Sequence, residues 1–445
     1  MKILFISLGC DKNLVDAEVM LGLLASGGHE MTDHEEEADA IVINTCCFIQ
    51  DAKEESIEQI LDMAKYKEIG NLKALIVSGC MAQRYREELV DEIPEVDAVI
   101  GTTTYDKILD VISEVLQGHK PMHINDANFD PQIRTKRMLT TGGHYAYLKI
   151  AEGCDKHCTY CVIPKIRGSY RSVPMEKLVE EAGYLAEQGV KELILVAQET
   201  TLYGIDLYNE KRLPQLLKEL CNIDGFIWIR VLYCYPEEIT DELIQVIKEE
   251  TKVCNYLDIP IQHVNEDIVK RMGRRTSKED LMRIIDKIRI SIPDICIRTT
   301  LITGFPGETI DQHQELMDFV DAMGFDRLGV FTYSLEEGTP AALMDGQIDE
   351  DIKKSRQKEL MELQQEIAFE QGKDMVGKKM TVMIEGKVAD ENTYVGRTYK
   401  DSPNIDGLIF VNTREVLVSG DFVTVTVTEA KEYDLIGGIA HESTQ

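Results

Sequence analysis

Six of the eleven cysteines in this 445-residue chain stand just past the end of a short apolar run, and that placement limits the fold more than any other feature. Cys154, Cys158 and Cys161 form a C-x3-C-x2-C loop after the run Tyr145–Ala151. Cys10, Cys46 and Cys80 are far apart in sequence, yet each closes the same kind of segment: Ser7-Leu8-Gly9-Cys10, Asn44-Thr45-Cys46 and Ser78-Gly79-Cys80. Thiols placed this way converge if the runs are strands of parallel sheets. The carboxyl ends of such strands share one edge, where doubly wound folds place their ligands. An odd number of cysteines in a long chain argues against a disulfide framework and for metal or redox chemistry in a reducing compartment.

The spacing of apolar segments predicts an α/β multidomain chain. Up to Thr140, runs at Ile3–Leu8, Ala40–Thr45, Leu72–Ser78 and Ala98–Gly101 alternate with helical patterns. This is the rhythm of a doubly wound parallel sheet, assigned to residues 1–140. Gly118–Gly143, with Pro121, Asn125, Pro131 and Gly142-Gly143, reads as a linker. A second series has runs at Tyr145–Ala151, Glu192–Ala197, Trp228–Leu232, Tyr256–Ile259, Cys296–Ile302 and Arg327–Phe331. These units predict an open (β/α)6 partial barrel which, with a polar linker helix at Asp349–Lys373, fills 141–375. After Gly377 short alternating strands at Met380–Glu385, Thr393–Thr398, Gly407–Val411 and Phe422–Glu429 predict a small all-β barrel over 376–445.

Charge narrows the partners. Lys and Arg number 48 against 79 Asp and Glu, a formal net charge of −31. A polyanion of this kind is not a general phosphate binder. The last segment, from Val376, holds seven Lys/Arg and eleven Asp/Glu, where a module gripping RNA needs a basic groove. Hydrophobic content of 44% and charged content of 29% exclude a disordered chain. No apolar run is long enough to span a bilayer, and the first residues lack the features of a signal peptide, so no membrane partner and a cytoplasmic location are expected.

Three thiolates are one short of a closed structural zinc site. A [4Fe-4S] cluster held by three cysteines keeps one iron open for another ligand. A zinc loop completed by His157 is the alternative for the central motif. With Tyr160 before the last cysteine and six βα units following, this motif resembles the radical S-adenosylmethionine (SAM) superfamily. There the open iron chelates the amino and carboxylate groups of SAM. Cys10, Cys46 and Cys80 at equivalent strand ends predict a second three-thiolate cluster. Cys47 reads as a packing neighbour, and Cys221, Cys234, Cys254 and Cys296 as buried core thiols.

Two cysteine triads in this order before a small β-barrel resemble the methylthiotransferase family of radical SAM enzymes, over essentially the whole chain. The matching segments include Ser7–Asn13, Val15–Glu18, Pro260–His263 and Thr303–Thr309. Ala17 and Cys47 stand where that family usually has Ser and Gly. Ser7 and Lys12 are most similar to the ribosomal-protein branch. The resemblance implies an N-terminal cluster domain, a radical SAM domain and a TRAM domain, with two [4Fe-4S] clusters and SAM as cofactors. It implies that one SAM yields a 5′-deoxyadenosyl radical, a second supplies methyl, and sulfur arrives at the N-terminal cluster. The implied target is the β-carbon of an aspartate in the basic small-subunit ribosomal protein twelve, free or on the ribosome, with a separate electron donor. Methylthiolation of a tRNA adenosine is the alternative. A third reading, from another class, is a non-catalytic nucleic-acid-binding protein with structural metal.

No catalytic residue is assigned beyond the six presumed cluster ligands. Candidate SAM contacts are Tyr160; Gln198 and Glu199 at the end of the second barrel strand; Gln262 and His263 after the fourth; and Gly304, Gly307 and Glu308 after the fifth. All fall at the carboxyl face where barrel sites lie. Arg167 and Arg171 are read either as partners of a substrate carboxylate or as surface ion pairs. Glu35-Glu36-Glu37 reads as a solvated face.

Overall fold

The computed structural model of the chain describes residues 1–129 and 137–440. Pro131 of the linker reading and the last five residues of the terminal barrel lie outside them.

The first part is a six-stranded sheet. Its strands are β1 (Lys2–Ser7), β2 (Glu30–Met31), β3 (Ala40–Thr45), β4 (Ala74–Gly79), β5 (Ala98–Ile100) and β6 (Met122–His123), in the order β2-β1-β3-β4-β5-β6. Every pairing is parallel. All six residues of β3 and of β4 are buried, as expected of strands covered by helices on both faces. The strand order reverses between β1 and β3, so their carboxyl ends form the topological switch point. The two edge strands are two residues each, too short to leave a periodic signal, and β6 lies inside the stretch read as a linker.

The second part opens with β7 (Tyr145–Lys149) and a short antiparallel pair, β8 (Ala151–Glu152) with β9 (Arg171–Ser172). It continues with β10 (Glu192–Val196), β11 (Trp228–Val231), β12 (Val253–Asp258), β13 (Cys296–Thr303) and β14 (Arg327–Thr332). The sheet order β14-β13-β12-β11-β10-β7 follows the sequence, and all pairs are parallel, giving the open six-stranded barrel. The helix Glu350–Lys373 closes its last edge, with Gln357 donating to the Val330 carbonyl at 2.7 Å.

The third part is a closed barrel of β15 (Lys379–Lys387), β16 (Thr393–Arg397), β17 (Ile409–Asn412), β18 (Phe422–Ala430) and β19 (Leu435–Ile439), in the order β15-β16-β17-β19-β18. The fifth strand, Leu-Ile-Gly-Gly-Ile, escapes the alternation rule because two glycines blank its pattern.

The open side of the central barrel is covered from two directions. Val15 of the first helix (Asp11–Ser26) and Met383 of β15 share one buried cluster with Tyr145, Tyr147, Trp228 and Tyr256. From the loop after β16, Asp406 accepts from Tyr256 Oη at 2.7 Å and from Arg298 Nε at 3.2 Å. Glu192, fully buried, takes Arg230 Nε at 2.7 Å and Arg397 Nη2 at 2.6 Å. On the N-terminal flank, buried Glu336 takes Arg84 at 2.8 Å and Lys53 at 3.2 Å.

Candidate metal centres

Cys10 occupies the N-cap position of the first helix, and Cys80 is the first residue of the helix Cys80–Glu92. A helix amino end carries partial positive charge, which favours a thiolate. Cys46 is fixed by Ser56, whose Oγ accepts from the Cys46 N–H at 3.1 Å and donates to its carbonyl at 2.9 Å. The glycines beside this triad are there for space. A Cβ on Gly9 would stand 2.7 Å from Cys46 Cβ and 3.1 Å from its Sγ, and one on Gly79 2.4 Å from Asn44 Oδ1. Both have φ near +90°, which favours glycine. Cys47 is fully buried, in the same apolar cluster as Ile43, Ile60 and Cys80.

The three N-terminal thiols feel one another. Burial and then the neighbouring Cys80 and Cys10 push the Cys46 thiol up to about 12. Burial likewise raises Cys80. In the central loop burial lifts Cys154 to about 11 and Cys161 to about 12, with Cys158 adding to both. These shifts mark burial, which lifts the core thiols Cys221 and Cys254 in the same way, to about 11 and about 12. Among the described residues no three His, Cys, Asp or Glu side chains close on a single metal ion. The donor set, three thiolates per site, instead suits an iron–sulfur cluster. His157 is exposed with φ of +52°, so it does not complete a zinc site with its neighbours. All eleven cysteines are free.

The central loop is pinned from outside. Cys154 N–H donates to the Gly168 carbonyl at 3.1 Å, and Thr159 donates to the Met272 and Arg271 carbonyls. Tyr160 packs beside the Phe305–Tyr333 pair and is hydrogen-bonded to Arg274, whose guanidinium also lies 4.4 Å from the Tyr235 ring centroid. Tyr235 Oη is 3.4 Å from Cys158 Sγ. Two residues earlier, Tyr233 Oη donates to Asp11 Oδ2 at 2.8 Å, and Lys12 Nζ sits 3.3 Å from its ring centroid. One short segment after β11 therefore touches both cysteine sites.

The other candidates line the same carboxyl face. Gln198 donates to Glu152 Oε1 at 2.7 Å and leaves its Oε1 buried without a partner. Glu199 binds the Thr201 N–H and hydroxyl with one oxygen, while the second is buried and unpartnered. Burial pushes its carboxyl up to about 7. His263 accepts from the Asn265 N–H at Nδ1, and its fully buried Nε2 lies 3.9 Å from Glu308 Oε1. Gln262 is half-buried at φ +70° and bridges to β13. Unpartnered buried polar atoms at Gln198 and Glu199 fit a polar ligand such as SAM. Glu308 faces inward: one oxygen accepts the Gly304 and Phe305 N–H groups, holding the turn that presents Gly304 and Gly307. Burial alone would raise this carboxyl, but His263, His313 and Arg356 overrule it and hold it at about 2.

Neither Arg167 nor Arg171 behaves as the sequence suggests. Arg167 is buried and crosses to the N-terminal part, and Arg171 binds the carbonyls of Ala127, Arg167 and Ser169. Asn13, Asp16, Lys149, Glu152, Tyr233 and Tyr235 organise the seam between the triads and escape sequence reasoning. The one signal for them was the Asn13 and Asp16 portion of the family-like opening segment.

Comparison with known proteins places these parts. Residues 2–101 match the family described as "Uncharacterized protein family UPF0004", 148–320 the radical SAM superfamily, and 376–439 the TRAM domain. The chain is 65% identical to "Ribosomal protein uS12 methylthiotransferase RimO" of Lachnoclostridium phytofermentans, over 98% of this chain and 99% of that one. It is 50% identical to the protein of the same name from Clostridioides difficile, over 99% of each. Among solved structures it is similar in fold to the radical SAM methyltransferase TsrM from Kitasatospora setae, solved with cobalamin and a [4Fe-4S] cluster. The TM-score is 0.55 at 13% identity over 77% of each chain.

Proposed function

The chain belongs to the ribosomal protein uS12 methylthiotransferase family, the RimO type of radical SAM enzyme, and from that premise we propose how its residues divide the reaction. It transfers a methylthio group to the β-carbon of an aspartate in uS12. Residues 1–140 form the sulfur-handling unit, 141–375 the radical SAM unit and 376–445 the TRAM unit. Cys10, Cys46 and Cys80 hold one [4Fe-4S] cluster, and Cys154, Cys158 and Cys161 hold the other. When bound, these clusters with SAM supply one-electron and sulfur chemistry that no side chain offers.

The observation that carries this reading is the segment Tyr233–Tyr235, which reaches Asp11 beside Cys10 with one hydroxyl and Cys158 with the other. It ties the loop of the central triad to the helix that begins beside Cys10. Gln198 and Glu199 offer their unpartnered polar atoms to SAM, and His263 lines the same face beside Glu308. The Gly304 turn, held by Glu308, brings backbone close to it. Tyr160 packs under the central loop. The acidic chain, net −31, complements a basic protein better than a nucleic acid. No helix among the described residues is long and apolar enough to cross a membrane, in keeping with work on ribosomal protein in the cytoplasm. The reducing electrons come from a donor outside the chain, and uS12 is met on or off the ribosome.

The test is mass spectrometry of uS12 and tRNA after anaerobic incubation with the reconstituted protein, SAM, sulfide and a reductant. The expected product is uS12 heavier by one SCH2 unit on an aspartate, with tRNA unchanged. Gain on tRNA with uS12 unchanged overturns the proposal.

A further inference from the structure

Arg167 lies six residues beyond the central cysteine loop, and its side chain is only 2% exposed. It runs across the seam into the N-terminal part. Nη1 donates to Asp16 Oδ2 at 2.6 Å and to Glu152 Oε2 at 3.2 Å. Nη2 donates to Asn13 Oδ1 at 3.0 Å and to Cys80 Sγ at 3.4 Å. Lys149 donates to both Asp16 and Glu152, so two cations already balance two carboxylates in this buried group. The bond to Cys80 is therefore not needed for charge balance. It follows from the planar fork of a guanidinium, which serves acceptors on two sides at once, as an ammonium cannot.

The placement is itself held. Asn13 is fixed by donating to the Leu8 carbonyl at 2.7 Å and to the Thr45 carbonyl at 3.2 Å, the residues flanking two of the N-terminal cysteines. Glu152 precedes the central loop and also accepts from Gln198. A continuous chain of hydrogen bonds thus runs from Cys80 through Arg167 and Glu152 to the end of β10.

We propose that Arg167 is the positioning residue through which the radical SAM unit sets the reduction potential of the N-terminal cluster. Its N–H points at one ligand sulfur, and its positive charge favours the reduced, more negative form of a cluster bound there. The inference rests on the assignment of Cys10, Cys46 and Cys80 as ligands.

The full-length chain carrying C154A, C158A and C161A leaves one cluster to read. After anaerobic reconstitution it is titrated with titanium(III) citrate, which delivers one electron per cluster, and followed by electron paramagnetic resonance. R167Q in this background is expected to shift the midpoint to a more negative potential. R167K keeps the charge but not the fork, and shifts it in the same direction by less. A background protein that takes up no iron overturns the ligand assignment itself. About four irons per chain with midpoints in R167Q and R167K equal to the background overturn the role of Arg167 while leaving that assignment standing. Should R167Q fail to hold iron, R167K decides alone, because Asp16 and Glu152 still face a cation.

Discussion

At Glu199, burial and ionisation oppose each other. Its carboxyl is pushed up to about 7 from an ordinary 4.5 by burial, which the Thr201 bonds and Lys156 offset only in part. The folded state therefore holds the proton more tightly than the unfolded chain. Stability is fully present below pH 4.5 and declines as pH rises through 7, by about 3 kcal/mol. E199Q removes that decline. In urea unfolding of the metal-free protein, the variant should match the parent at pH 4.5 and exceed it at pH 8, whereas an equal difference at both would refute the assignment. Glu308 has the opposite sign. Held at about 2, it contributes stability present above 4.5 and lost as pH falls toward 2, and E308Q should flatten that part of the acid unfolding profile. The placement of the six cysteines past strand ends was legible in the sequence, because spacing and strand ends are local facts. Arg167 was not, because its partners Asp16 and Cys80 lie 151 and 87 positions away.

Among the elements, β3 and β4 announce themselves through unbroken apolar runs, while β2 and β6 are too short and β19 too rich in glycine to do so. The loop after β14 belongs to neither group. Its Glu336 is 1% exposed and anchors the helix Gln50–Ala64 through Lys53 and the helix Cys80–Glu92 through Arg84. Ser334 supports it, donating to Glu336 at 2.8 Å and accepting the Gln50 N–H at 3.1 Å. Removing one partner of a buried ionic group leaves the others uncompensated. E336A should cost about 3 kcal/mol and speed amide exchange in both helices. Unchanged exchange there would mean that the latch contributes nothing to docking.

For the molecule as a whole, the barrel that terminates the chain is part of the core of the enzyme. Arg397, Asp401 and Asp406 pair with Glu192, Arg327 and Arg298 inside or beside the central barrel. E192Q would leave Arg230 without its carboxylate and Arg397 with Glu385 alone, and should destabilise the full chain by about 3–5 kcal/mol in urea unfolding. A chain ending at residue 375 should not give a soluble, cluster-competent protein. The division into a doubly wound sheet, an open barrel and a closed barrel was legible from periodicity alone. Their interlocking was not, since it depends on side chains that meet across 74 to 205 residues. Two triads that hold two clusters with distinct duties carry separable iron, which iron counting across two triple variants measures. After anaerobic reconstitution the parent chain should carry about eight irons, and each of C10A/C46A/C80A and C154A/C158A/C161A about four. Only the variant lacking the central triad should lose formation of 5′-deoxyadenosine from SAM. A parent chain with about four irons, unchanged by loss of Cys10, Cys46 and Cys80, would contradict the account.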